Sequence, residues 1–139
     1  LTDFNAASAL LDTVVAQTSG ATPLATRIRV LGTKVTHEFY EDRLDVAEQW
    51  LQQLLALAGA TDNHDSLAYL YGVEMDMLLY QNKLDEAILL SERLQSHVLQ
   101  AVIPRVRYFA NNVLANMHQR DGQPELALLS YSEALRGGK

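Results

Sequence analysis

His37 and Glu38 stand side by side, as in helical zinc sites where two histidines four residues apart hold the metal and the glutamate acts as a base. The second histidine of such a site would occupy position 41, where this sequence has Glu41. We therefore predict no zinc pair here and interpret His37 and Glu38 as part of a solvated helix face. The chain has no cysteine, which excludes disulfides and thiolate metal sites.

The sequence contains no arrangement of residues typical of an active site. His64, His97 and His118 lie on separate segments without the spacing of metal ligands, and His118 falls on an apolar stripe, which indicates a core or edge position. There is no Gly-x-Ser-x-Gly motif and no glycine-rich phosphate loop. We predict that the protein is not an enzyme and uses no cofactor or metal.

Several side chains are instead suited to recognition. Asn112 and Asn116 lie four residues apart, on one face of a helix, and their amides could pair with a peptide backbone; a solvated polar face is the alternative. Tyr69 and Phe109 could stack on a ligand or belong to the core. Arg29 could bind a carboxylate or be an ordinary surface charge.

Composition and charge exclude two classes of partner. The 139 residues carry a net charge of −6 and 48% are apolar, which indicates one globular domain and argues against a general binder of nucleic-acid backbones. No apolar run is long enough to span a membrane. The compartment stays open between cytoplasm, slightly favoured, and periplasm.

Three stretches repeat at intervals of 40 residues: DRLDVAEQW at 42–50, NKLDEAILL at 82–90 and GQPELALLS at 122–130. Each begins with a residue that tolerates the left-handed backbone needed to end a helix. Each also has alanine as its sixth residue, namely Ala47, Ala87 and Ala127. We expect these alanines to be buried between the two helices of their hairpins. The apolar periodicity predicts an all-α protein of about seven antiparallel helices, at 3–18, 23–41, 44–58, 65–81, 84–100, 104–120 and 124–136.

We therefore predict a single domain over 1–139, made of a half-repeat at 1–20 and repeats at about 21–60, 61–100 and 101–139. Because the sequence starts inside a repeat, we interpret it as a fragment of a longer protein. Its first helix is more apolar than one hairpin face requires, so we expect part of it to remain available for an upstream helix or for a homodimer; the residues are Phe4, Leu10, Leu11, Val14 and Val15.

The third copy, NNVLANMHQRDGQPELALLSYSEAL at 111–135, resembles a tetratricopeptide repeat. The matching positions are Leu114, Ala115, Gly122, Ala127, Tyr131, Ala134 and Leu135. The second copy departs from that pattern, with Ser91 and Leu94 where an aromatic and a small residue are usual. The period of 40 also exceeds the usual 34, which leaves a HEAT-like array as the alternative.

The resemblance implies a right-handed α-α superhelix that binds a protein or peptide on a concave face formed by the first helix of each hairpin. The positions on that face are Arg29, Thr36, Tyr69, Asp76, Phe109, Asn112 and Asn116. Gly32 and Gly72 occupy the same repeat position and predict close approach by a helix or a ligand. Such arrays resemble the sensory regions of bacterial signalling proteins; the alternatives are a structural homodimerisation domain and a small-molecule sensor.

Overall fold

The computed structural model describes residues 2–17 and 21–137, with side chains described for all of these except 2–5, 8 and 137. The described residues contain seven α-helices, one short 3₁₀ turn at Ala58–Ala60 and no strand, which confirms the all-α class. The helices are α1 Thr2–Gln17, α2 Leu24–Tyr40, α3 Leu44–Ala56, α4 His64–Tyr80, α5 Leu84–Val98, α6 Pro104–Arg120 and α7 Pro124–Gly137. None of the helices in this part of the chain combines the length and apolar character needed to cross a bilayer.

Three hairpin turns, 40 residues apart, share one backbone geometry. Asp42, Asn82 and Gly122 have φ values of 63°, 60° and 72°, the left-handed conformation predicted from their types. In the first turn the N–H of Asp42 donates to the carbonyl of Phe39, and the N–H of Arg43 donates to that of Glu38. The other two turns have equivalent bonds, so each first helix ends in a Schellman motif.

The alanine that follows each turn is buried, as predicted. Ala47 and Ala87 are fully buried and Ala127 nearly so. Each alanine donates its N–H to the carbonyl oxygen of the residue four positions earlier, namely Arg43, Lys83 and Gln123. The turn and the first bonded residue of the second helix are therefore fixed together by local sequence.

The chain divides into two compact units, one ending at Thr61 and the other beginning at Asp62. In the first unit α2 packs against both α1 and α3. Its core includes Ile28, Val35, Phe39 and Leu54. Leu10 on α1 is 65% exposed, whereas the side chain of Phe4 lies outside the described residues.

The second unit consists of two hairpins packed side by side. α4 contacts α5 and α6, α5 also contacts α6, and α6 contacts α7. Its core holds Met75, Leu79, Leu94, Leu114 and Met117. Thus the first helix of the second hairpin packs against both helices of the first hairpin, the arrangement that stacked helical repeats require.

Asp65 joins the start of α4 to the segment before α6. Its buried carboxylate accepts hydrogen bonds from the backbone N–H of Val102 and of Ile103, with N···O distances of 2.8 to 3.3 Å. These donors precede or begin a helix and have no partner within it. Asp65 therefore satisfies two backbone groups that would otherwise need water.

Candidate functional site

The seven predicted binding residues divide between the two units. Arg29 and Thr36 lie on α2 in the first unit, and the other five lie on α4 and α6 in the second. Because α4 and α6 pack against each other, the second group forms one surface, which we call the α4/α6 face. It comprises Tyr69, Asp76, Phe109, Asn112 and Asn116.

Two aromatic rings meet at the centre of the α4/α6 face. The centroids of Tyr69 and Phe109 are 5.6 Å apart and the ring planes are inclined by 46°. Both side chains are half-buried and pack against the core. A Cβ atom added to Gly72 would lie 2.7 Å from Cε2 of Phe109. The ring of Phe109, which comes from a neighbouring helix and not from a ligand, therefore occupies the space that a side chain at position 72 would take.

Asn116 is tied to the end of the neighbouring helix through an arginine. Its Oδ1 accepts a hydrogen bond from Nε of Arg120 at 3.1 Å, and Nη1 of Arg120 donates to the carbonyl oxygen of Leu79 at 2.6 Å. Arg120 thus stabilises the C-terminal end of α4, where the helix dipole is negative. The Oδ1 atom of Asn116 therefore already accepts one hydrogen bond within the protein.

Asn112 and Tyr108 lie at the solvent side of α6. Asn112 is half-buried, and Tyr108, four residues before it, is 46% exposed. Tyr108 was not among the predicted binding residues, although its spacing of four from Asn112 places both side chains on one face of α6. Tyr108 and Asn112 give this face a large ring beside an amide that both donates and accepts.

Arg29 is exposed on α2 and lines a small groove of about 220 Å³ between α1 and α2. Leu11 and Val14 form the α1 side of that groove. Thr36, seven residues after Arg29, is half-buried.

The interpretation of Glu38 as solvated is wrong, since Glu38 is buried. Nε and Nη2 of Arg43 donate to its two carboxylate oxygens at 2.6 and 2.9 Å, and Nζ of Lys34 donates at 3.1 Å. Lys34 is also buried and forms a second ion pair with Asp12 on α1. We call Asp12, Lys34, Glu38 and Arg43 the ionic cluster.

Burial alone would raise the pKa of Glu38, but the hydrogen bonds from Arg43 and Lys34, with their positive charges, outweigh it and lower the pKa from 4.5 to about 2. The carboxylate is therefore charged at every ordinary pH. Lys34 also lies over the ring of Trp50, 5.9 Å from its centroid, so the ionic cluster links all three helices of the first unit.

His64 and His97 form a pair that their sequence separation of 33 residues had hidden. Their Nδ1 atoms are 3.0 Å apart, so one ring donates an N–H and the other accepts it. The ring of Tyr71 stacks on His97 with centroids 5.8 Å apart. Burial, followed by the nearby His64 and Arg93, lowers the pKa of His97. His118 is half-buried, as predicted, and burial lowers its pKa too.

Within residues 2–17 and 21–137, no three histidine or carboxylate side chains gather as metal ligands would. The α4/α6 face is a partly exposed surface of aromatic rings and amides on two packed helices. No protein family, no curated protein and no solved structure matches the chain.

Proposed function

We propose that the protein is a tetratricopeptide-like interaction module that binds a protein or peptide on the α4/α6 face. The supporting observation is the grouping of Tyr108, Asn112 and Asn116 on the solvent side of α6, beside the Tyr69–Phe109 pair. Rings supply contact area at little cost in conformational entropy, and amides can pair with a peptide backbone.

Structural features that recur along the chain support the proposed superhelical arrangement. Three Schellman turns at a 40-residue spacing, each followed by a buried alanine, and the side-by-side packing of two hairpins are features of a helical repeat array. A sensory role within a larger bacterial signalling protein, with the HEAT-like, small-molecule-sensing and homodimer alternatives, stays a prediction.

The test uses a displayed library of random peptides selected on the full 139-residue chain. Peptides enriched by the parent are then titrated against the double variant Tyr108→Ala/Asn112→Ala, for which we expect binding at least about tenfold weaker. The structure favours Tyr108 over Tyr69 for this test, because Tyr69→Ala would also remove a packing contact with Phe109.

The matched control is Glu86→Ala/Leu89→Ala, which removes one charged and one apolar side chain from the exposed surface of α5. Circular dichroism should show unchanged helicity for both variants. If the Tyr108→Ala/Asn112→Ala variant binds the enriched peptides as tightly as the control does, the α4/α6 face is not the binding surface.

A further inference from the structure

Two half-buried histidines meet at the open end of the hairpin formed by α4 and α5. His64 is the first residue of α4 and His97 lies in the last turn of α5, so both are far from the turn that connects the two helices. Their Nδ1 atoms are 3.0 Å apart and their ring centroids 5.3 Å apart. The centroid distance is about the N···N distance plus the two distances from nitrogen to ring centre. The two nitrogens therefore point at each other, as in a linear hydrogen bond.

This head-on arrangement suits a shared proton better than a bound metal ion. A zinc ion in line between the two nitrogens, at its usual distance from each, would hold them about 4 Å apart, about 1 Å more than observed. A bent arrangement would require both rings to turn away from the line that joins the nitrogens. The geometry therefore favours a proton between His64 and His97.

The number of protons on the pair determines whether this hydrogen bond exists. In the neutral pair one Nδ1 carries a hydrogen and the other accepts it, and one added proton keeps the bond and makes it charge-assisted. A second added proton places a hydrogen on both Nδ1 atoms, so no acceptor remains. Two positive charges would then face each other across 3.0 Å. The second protonation thus replaces an attraction between α4 and α5 by a repulsion.

The groups around His97 oppose that second charge. Tyr71 of α4 stacks on its ring with the two planes inclined by 17°, and the guanidinium of Arg93 lies over the ring of Tyr71, 5.4 Å from the centroid. Burial, followed by the charges of His64 and Arg93, lowers the pKa of His97. The doubly protonated pair is therefore disfavoured in the closed hairpin.

Charged groups on the adjoining elements do not offset this repulsion. Both carboxylate oxygens of Asp65, the residue after His64, accept hydrogen bonds from backbone N–H groups of the segment before α6. The charged residues in the first turn of α6 are both arginines. Arg105 is exposed, and Arg107 forms an ion pair with Glu133 of α7. The charges that α6 brings to this end of the hairpin thus have the same sign as a protonated histidine.

We propose that His64 and His97 form a pH-sensitive clasp, which holds the open end of the hairpin together at pH 7 and releases it when both imidazoles are protonated. Because the pKa of His97 is lower in the folded state than its ordinary 6.5, its contribution to stability is present above pH 6.5 and is lost as the pH falls below that value. Release frees the end of α5, where the N–H groups of Leu99 and Gln100 donate to the carbonyls of Gln95 and His97. The clasp does not depend on the function proposed for the α4/α6 face.

The test is amide hydrogen exchange of the full 139-residue chain at pH 7 and pH 5, followed by NMR and corrected for the intrinsic pH dependence of exchange. The contribution of Glu38 is constant over this interval, since it is lost only below pH 4.5. We expect the amides of Leu99 and Gln100 to exchange at least about fivefold faster at pH 5 than at pH 7. His64→Gln/His97→Gln removes both titrating rings and should keep the two rates within about twofold of each other.

His97→Gln is a second variant, because an amide can still bond to His64 but takes up no proton, and it should also lack the acceleration. His118→Gln is the matched control, since it removes another half-buried histidine with a lowered pKa from outside the clasp. It should keep the acceleration of the parent. The proposal is overturned if the parent shows equal rates at both pH values, if His97→Gln, shown by circular dichroism to be folded, accelerates like the parent, or if His118→Gln abolishes the acceleration.

Discussion

Two first helices, α2 and α4, occupy the same place in the repeat but are held by different chemistry. At the position of Glu38, α4 has Leu78, which packs against an apolar core. In α2 the buried carboxylate is instead neutralised by Lys34 and Arg43. The same hairpin geometry is thus compatible with an apolar or an ionic contact at one position. Only the ionic contact makes stability depend on the charge of each partner.

The largest effect should come from giving α2 the residue that α4 has. Glu38→Leu leaves the buried Lys34 with only the exposed Asp12 as its ionic partner and removes the carboxylate that Arg43 binds, and we expect the first unit to lose about 3 to 5 kcal/mol of stability. The measurement is urea denaturation followed by the fluorescence of Trp50, the single tryptophan, which lies in this unit.

The matched variant is Lys34→Leu/Glu38→Leu, which removes both buried charges and should lie within about 1 kcal/mol of the parent. If the single Glu38→Leu variant is as stable as the parent, the ionic cluster contributes nothing and the comparison with α4 fails.

Acid should affect the first unit through the same carboxylate. Because the pKa of Glu38 is lower in the folded state, its contribution is fully present above pH 4.5 and is lost as the pH falls towards about 2. The shift from 4.5 to about 2 corresponds to roughly 3 kcal/mol. Trp50 fluorescence at a series of pH values should show this loss, and Lys34→Leu/Glu38→Leu should lack the Glu38 contribution. The same slope in both proteins would contradict the assignment.

Overpacking the hairpin contact should have a smaller effect, similar in both units. Ala87→Leu places a large side chain at a fully buried position, and we expect a loss of about 1 to 3 kcal/mol. Ala47→Leu, at the equivalent position, should cost a similar amount. Thermal unfolding by circular dichroism measures both. An unchanged melting temperature for either would show that its alanine is not at a close helix contact.

The smallest effect concerns the turns. Gly122→Ala meets no neighbouring atom within 4 Å, so its cost comes from the positive φ of 72° and should be about 1 kcal/mol. Gly59→Ala is the control, because that glycine also has open space and its φ is not in the left-handed region. Thermal unfolding should give a lower melting temperature for Gly122→Ala than for Gly59→Ala. Equal melting temperatures would contradict the assignment of this cost to the positive φ of Gly122.

The sequence predicted the helices and turns because their signals are local. Asp42, Asn82 and Gly122 each end a helix through their own backbone preferences, and helix boundaries agree within about two residues. The ionic cluster was missed because Glu38 and Lys34 are polar, and their burial depends on Asp12 from another helix. Likewise, no local pattern indicates that His64 meets His97.

The candidate binding face was predicted only in part. Helical spacing identified Asn112 and Asn116, but it could not show that Phe109 would lie on Gly72 or that Asn116 would bond to Arg120. These contacts depend on how two helices approach each other, which the period of one helix does not specify.

The carboxylate of Asp65 also affects the kinetics of the second unit. Hairpin turns form between residues close in the chain, whereas Asp65 must meet backbone groups 37 and 38 residues away. Closing such a loop costs entropy before the bonds compensate for it, so we expect these bonds to form after the folding transition state. Interactions absent from the transition state slow unfolding without speeding folding. Asp65 would therefore prolong the lifetime of the folded second unit more than it hastens its formation.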